Sequence, residues 1–295
     1  MPANVIGAAL GQVARPHEVS TTQTPVQPRN LTPHKAATIL GLFVQPTASS
    51  TLTPRILGAT DQHGAPLPLK HGRTFRAGVH AQTVAFAKIA QPGSLATSVT
   101  GQNQTTGAYL AQTTLVGDVN GDGAVNLTDV QAFTTAYMSR RGQAAYNPAA
   151  DFNQNGVVNL EDAKALMKNM APLVTNRPLQ VILALAPQDR IHYHGPQNSG
   201  GVTFNKTVTI IGRTTPGSLV IEDNHTSRLP GGTQAYKFSG PAHAADAQGF
   251  FSIQVTNEEG LNNNDFLILD PSGHSLIRDF PIFWVPYATG RGMPR

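Results

Sequence analysis

Two stretches of the chain carry oxygen side chains at a spacing that suits a hard cation. Residues 118–129 read Asp-Val-Asn-Gly-Asp-Gly-Ala-Val-Asn-Leu-Thr-Asp, and residues 151–162 read Asp-Phe-Asn-Gln-Asn-Gly-Val-Val-Asn-Leu-Glu-Asp. Each places Asp or Asn at positions 1, 3, 5, 9 and 12 and glycine at position 6. An ion such as Ca²⁺ takes six to eight oxygen ligands on a loop that bends sharply enough to converge them. Gly123 and Gly156 supply the left-handed backbone for that bend. Ala124 and Val157, at position 7, are free to vary because that position ligates through its carbonyl. Two calcium ions are therefore expected, one per loop. The first loop holds three carboxylates and the second two, with Glu161 at position 11 expected to point away. Ligand charge tunes affinity, so the first loop is expected to bind more tightly.

The elements that must hold these loops follow from the flanking residues. After the first loop Val130, Phe133 and Tyr137 recur at helical spacing, and after the second Ala163, Leu166 and Met170 do the same. One apolar stripe on each helix is expected to face the other across a small core. Gly142 is expected to end the first helix and Pro172 to stop the second. So small a core is expected to depend on the metal. The residues before the first loop look like a strand, and those before the second contain Pro148, so neither loop has a good entering helix. Both loops also end in Asp, where an ordinary EF-hand ends in Glu.

A calcium loop with only an exiting helix, present twice, resembles the dockerin module. The resemblance covers residues 115–174 and rests on Gly117-Asp-Val-Asn-Gly-Asp-Gly123, Tyr146-Asn-Pro-Ala-Ala-Asp-Phe-Asn153 and Asp162-Ala-Lys-Ala-Leu166. It implies that the ligands are Asp118, Asn120, Asp122, Asn126 and Asp129, then Asp151, Asn153, Asn155, Asn159 and Asp162, joined by the carbonyls of Ala124 and Val157. It also implies a cohesin-like partner. In the clostridial family, positions 10 and 11 favour Ser/Thr-type pairs repeated in both halves, and the module usually ends the chain. Here the pairs are Leu127-Thr128 and Leu160-Glu161, and the module lies mid-chain.

At 295 residues the chain exceeds one typical domain, and two or three are expected. Charged residues are only 13%, and glycine and proline number 28 and 22. That composition suits β-sandwiches with many turns better than a helical bundle or a doubly wound α/β enzyme. The formal charge of +4 is spread without a basic run, which argues against nucleic acid. No apolar stretch approaches the length of a membrane span. The absence of cysteine fits an exported bacterial protein held by metal and packing. Weak calcium loops fill only where the ion is abundant, which points outside the cell or to its surface. The first ten residues lack the basic start and apolar run of a signal peptide, so an export signal is expected outside this numbering.

Mainly β architecture is therefore expected, two sandwich domains with a small helical calcium module between them. Residues 1–35, rich in Thr, Gln, Pro and Val, read as an extended tail whose Val5–Val13 or Thr22–Val26 adds a strand to a neighbouring subunit. Residues 36–114 alternate in short runs (38–44, 55–59, 83–89, 98–100 and 109–114) and read as a small sandwich. Residues 115–174 form the calcium module. Residues 175–295 form a second sandwich, with strands at 179–185, 206–211, 218–222, 250–255, 266–270 and 282–285. Val208–Val220, and Phe251–Asn262 followed by Asp270-Pro-Ser-Gly-His274, resemble bacterial immunoglobulin-like surface domains, in which the Gly-x-Asn … Asp-x-x-Gly run spans a hairpin. The domain order resembles large secreted surface proteins of the planctomycete type.

No nucleophile elbow, zinc-protease helix, phosphate loop or dinucleotide fingerprint is present, so an enzyme is not expected. His192 and His194 are a possible zinc half-site but read better as an exposed strand or loop. Glu258 and Glu259 read as solvated residues of a hairpin turn, and the pair Asp265/Asp270 is the other candidate for glycoside chemistry. Phe280, Phe283, Trp284 and Tyr287 offer a sugar-stacking set or, better, edge packing, and Lys206 or Lys237 offers an isopeptide donor. Three functions remain. The leading one is a calcium-set structural protein that polymerises head-to-tail with copies of itself into a fibre or surface layer. The second is a module that docks onto a cohesin-like protein. The third is a carbohydrate-active accessory protein on a surface polysaccharide.

Overall fold

The structure is a computed structural model that describes residues 5–26, 38–77, 80–90, 93–170, 179–189, 200–223 and 238–286, with backbone alone for 71–77, 80 and 81. The chain divides into two compact units, Met1–Ala171 and Pro172–Arg295. The architecture is mainly β, with two short helices.

The first unit contains eight strands: β1 (Val5–Val13), β2 (Ser20–Val26), β3 (Thr38–Pro46), β4 (Pro54–Thr60), β5 (Leu69–Ala77), β6 (His80–Ile89), β7 (Gly93–Gly101) and β8 (Gly107–Leu115). They form a five-stranded sheet ordered β1-β8-β3-β6-β5 and a three-stranded sheet ordered β2-β7-β4. Every neighbouring pair is antiparallel. Alternation sets the core: β7 turns Leu95, Thr97 and Val99 inward, against Leu40, Leu42, Val44, Ile56 and Tyr109.

The N-terminal segment differs from the expected donated tail. β1 and β2 are strands of this same sandwich, paired with β8 and β7. The polar sequence of β2 enters the core because its threonines find partners there. Thr22 Oγ1 meets Tyr109 Oη at 2.6 Å, and Thr24 Oγ1 meets Thr113 Oγ1 at 2.8 Å. A buried hydroxyl with a partner escapes most of its desolvation cost. Gly7 and Gly11 let β1 approach closely: a Cβ on Gly7 would collide with the Pro25 carbonyl, and one on Gly11 with Thr22 and the Tyr109 ring. The turn between the two strands is held by the Glu18 carboxylate, which accepts the Ala14 and Arg15 N–H groups at 2.8 Å each.

The same unit includes helix α1 (Leu127–Ala136) and helix α2 (Leu160–Asn169). Val130, Phe133, Tyr137, Ala163, Leu166 and Met170 are all buried, with Phe133 stacked on Phe152. Gly142 does not end the first helix. The chain leaves it after Ala136, where Met138 adopts a left-handed conformation and donates its N–H to the Val158 carbonyl at 2.8 Å. Pairing with the second loop outcompetes one more helical turn, and Gly142 serves the turn that follows. Pro172 lies outside the described residues.

Asn169, the last residue of α2, fastens the helices to the sandwich. Its side-chain oxygen accepts the Ile39 N–H at 2.8 Å, and its Nδ2 donates to the Ile39 and Val116 carbonyls at 2.7 and 2.6 Å. Val125 packs against the sandwich core, and Gln82 Nε2 donates to Gln154 Oε1 at 2.8 Å.

The second unit has β9 (Ile182–Leu185), β10 (Gly201–Thr203), β11 (Thr207–Arg213), β12 (Leu219–Glu222), β13 (Ala242–Ala244), β14 (Phe250–Thr256), β15 (Gly260–Leu269) and β16 (Ser275–Trp284). One sheet is ordered β10-β16-β15-β12-β13 and the other β14-β11-β9. Only β10 with β16 is parallel among the described pairs. Ile210, Val220, Ile253, Phe266, Ile268 and Phe280 lie in the core of this unit. Gly260-Leu-Asn262 opens β15, and Asp270–Gly273 makes the turn of the β15–β16 hairpin, with Asp270 Oδ1 accepting the His274 N–H at 2.8 Å.

Replacing Asn169 with alanine removes three hydrogen bonds and takes this partner from the Ile39 N–H and the Val116 carbonyl. The first unit is expected to lose about 2–4 kcal/mol in urea unfolding with calcium present. A loss below about 0.5 kcal/mol would show that Asn169 does not fasten the helices.

Candidate metal centre

The two loops fold alike because their short polar side chains bond to their own backbone. Asp118 accepts the Gly121 and Gly123 N–H groups at 2.7 and 2.9 Å, and Asp151 accepts those of Asn155 and Gly156 at 3.1 and 2.8 Å. Asn120 and Asp122 accept from Asp122 and Ala124, just as Asn153 and Asn155 accept from Asn155 and Val157. Left-handed backbone occurs at position 6, in Gly123 and Gly156, and also at position 4, in Gly121 and Gln154. Position 4 escapes the sequence because glutamine there carries no conformational signal.

Positions 9 and 12 join each loop to its helix. Asn126 Oδ1 accepts the Thr128 N–H at 2.8 Å, and Asn159 Oδ1 accepts the Glu161 N–H at 2.7 Å, so both asparagines are N-caps. Asp129 Oδ2 accepts the Asn126 N–H at 2.9 Å, while its Oδ1 reaches the Val119 and Asn120 N–H groups at the loop entrance. Asp162 repeats this with Asn159 and Phe152. Each terminal aspartate thus ties the start of its loop to the start of its helix. A carboxylate has about four lone-pair sites, so these bonds leave Asp118, Asp129 and Asp162 with oxygen capacity to spare.

Asp118, Asp129, Asp151 and Asp162 are buried, each at most 1% exposed. Burial pushes all four carboxyls above the ordinary range, Asp129 to about 6 and Asp162 to about 7. Asp118 adds to the upward push on Asp129, and Asp151 to that on Asp162. Among the described residues none of the four forms an ion pair. Buried carboxylates of this kind require a counter-charge to stay ionised. The donor set is all oxygen, which suits Ca²⁺ rather than a soft metal. Among the described residues no three His, Cys, Asp or Glu groups cluster on one point. Each loop instead carries two buried aspartates alongside asparagine side chains and, in the first loop, Asp122.

The second loop carries features that spacing alone does not reveal. Tyr146 Oη donates to Asp151 Oδ2 at 2.7 Å, and burial with this contact raises the tyrosine to about 12. The Arg141 guanidinium interacts with both Tyr146 and Asp151 and opposes the rise of the Asp151 carboxyl. Arg141 is placed there because its N–H donates to the Gly156 carbonyl at 2.8 Å. Glu161 does not point away: its Oε2 accepts Asn153 Nδ2 at 3.0 Å, folded over the rim of the loop.

His192, His194, Lys237 and Tyr287 lie outside the described residues. Glu258 and Glu259 are exposed between β14 and β15, which belong to different sheets, so this connection is not a hairpin turn. Asp265 is buried, and Asp270 caps the hairpin and contacts His274 Nδ1 at 3.0 Å. Phe280 is buried while Phe283 is 46% exposed on the opposite face, and Trp284 Nε1 donates to the Phe204 carbonyl. Lys206 lies over the Trp284 ring, 6.0 Å from its centre.

Calcium and protons are expected to compete for the loops. Because the folded aspartates titrate near 6 and 7 rather than 3.8, the folded metal-free form binds more protons than the unfolded chain between those values. Its stability is therefore expected to rise as pH falls from 7 towards 4. Calcium affinity should move the other way, falling at least about tenfold in the second loop between pH 7.5 and 5.5. Calorimetric titration should also show roughly threefold tighter binding to the second loop in Arg141→Gln. Affinity that does not change across this pH range would contradict the assignment.

Residues 116–171 match the family described as dockerin type I domain. No curated protein matches the sequence. Among solved structures, the chain is similar at 10% identity and a TM-score of 0.19 to the C-terminal domain of the AgI/II polypeptide BspA of Streptococcus agalactiae. That likeness covers 92% of this chain and 95% of the other and is too loose to bear on fold or function. Both acidic loops and both helices lie within the matched residues.

Proposed function

We propose that this protein is an extracellular adaptor whose dockerin-type segment, set by two calcium ions, docks its two β units onto a cohesin-like receptor. The observation that carries this reading is the pair of matched loops, each with two buried aspartates and a capped exiting helix. Bound Ca²⁺ supplies the positive charge that keeps the buried carboxylates ionised. Asp118, Asn120, Asp122, Ala124, Asn126 and Asp129 hold one ion, and Asp151, Asn153, Asn155, Val157, Asn159 and Asp162 the other. The immunoglobulin-like reading of the second unit is supported by the hairpin that its Gly260–Gly273 run spans.

The two helices offer a partner unequal faces. On α1 the exposed residues are Thr128, Gln131 and Thr135, with Met138 just beyond, and none is charged. On α2 they are Glu161, Lys164 and Lys168. Interface centres are depleted of Lys and Glu, so α1 is the better docking face. Polymerisation by tail donation is the weaker reading, because β1 or β2 would have to leave its own ladder and strand Thr22, Thr24 and Tyr109.

A panel of recombinant type I cohesin domains, tested by calorimetry with calcium and with chelator, decides the matter. Calcium-dependent binding is expected, weakened at least about tenfold by Thr135→Arg and less than about threefold by Lys164→Glu. Two bound calcium ions with no cohesin bound would sink the docking role while leaving the metal sites standing.

A further inference from the structure

The edges of the first sandwich are unequally protected. β5 carries Lys70, His71, Arg73 and Arg76. β4 starts at Pro54-Arg55 and has a register shift between Ile56 and Gly58, and β2 contains Pro25. Charge, proline and bulges are the usual devices that keep a sheet edge from pairing with another chain. β1 reads Val-Ile-Gly-Ala-Ala-Leu-Gly-Gln-Val and carries no charge and no proline; its one register shift lies between Val5 and Gly7. Among the described residues its edge away from β8 has no strand partner. Leu10 stands on the outward face, 74% exposed.

We propose that two copies of this chain associate through β1, antiparallel about a two-fold axis at Ala9, joining two five-stranded sheets into one. Across that residue Val5 faces Val13 and Gly7 faces Gly11, while Ala8 faces Leu10 and Ile6, beside the register shift, faces Gln12. A two-fold interface needs a self-complementary patch, and two identical pairs with one apolar pair give β1 most of one. In that register Leu10 lies beside the partner's Ala8, and the outward stripe of Leu10 and its neighbour Leu110 continues into the second copy. Main-chain hydrogen bonds supply the remaining attraction. The other long uncharged edge, β14, fits itself poorly. Two-fold pairing about Ile253 would set Phe250 against Thr256, Phe251 against Val255 and Ser252 against Gln254, with no identical pair.

A single strand pair is smaller than a standard interface, so a weak, micromolar dimer is expected. Because the contact is two-fold, association stops at two. Sedimentation velocity on the full chain with calcium should show a monomer–dimer equilibrium and nothing larger. Leu10→Lys and Ala8→Lys should each raise the dimer dissociation constant at least about tenfold, because like charges then oppose β1 pairing. Both sites are exposed, and far-UV circular dichroism checks that the fold is kept. Ser252→Lys, on the β14 edge, should leave the dimer unchanged. A chain that stays monomeric at high micromolar concentration, a dimer that survives both β1 lysines, or open-ended polymers would overturn the proposal.

Discussion

Asp129 and Asp162 each tie together the entrance of a loop, its ninth position and the first turn of a helix. Each does so with a carboxylate removed from water, an arrangement stable at neutral pH only if the charge is answered. The rest of the segment follows from that constraint. Left-handed residues turn the loop, asparagines cap the helix, and the helices bury Phe133 and Leu166. A cation held by the loop oxygens is one way to answer that charge. Proton uptake is the alternative way to silence the same charges, which couples fold, metal and pH in one set of groups.

The two repeats are alike in plan and unlike in surroundings. The first loop has three aspartates, while the second has two, one already bonded to Tyr146 and influenced by Arg141. The second helix ends in Asn169, fixed to the sandwich, and shows charged residues to solvent. The first helix shows a neutral face. The two repeats thus share one scaffold, with the second helix fixed to the sandwich through Asn169 and the first showing an uncharged exposed face.

The first sandwich solves a different problem, that of burying a polar strand. Hydroxyl pairs replace part of the hydrophobic contact across Thr22, Thr24, Thr113 and Tyr109, and two glycines bring β1 down onto β2. This places an uncharged strand at the sheet edge. Along that edge β1 carries neither charge nor proline.

The loops, their exiting helices and most strands were legible in the sequence because each has a local cause. Asp, Asn and Gly at fixed spacing make a cation loop, and apolar residues at helical or alternating spacing make one buried face. What was not legible has non-local causes. The strands β1 and β2 read as a tail because threonine signals burial only when its partner, far away in the chain, is known. The first helix stops at Ala136 because Val158 captures the next N–H, which no residue near Gly142 announces. Arg141, Tyr146, Glu161 and Asn169 acquire their roles from where the backbone sets them. Sequence alone determined where two oxygen-rich loops and their exiting helices fall, since that depends on chemistry within twelve residues. Tertiary structure decided how strongly each loop is charged, which helix face is left open and which strand edge is bare, since these depend on what the fold brings alongside.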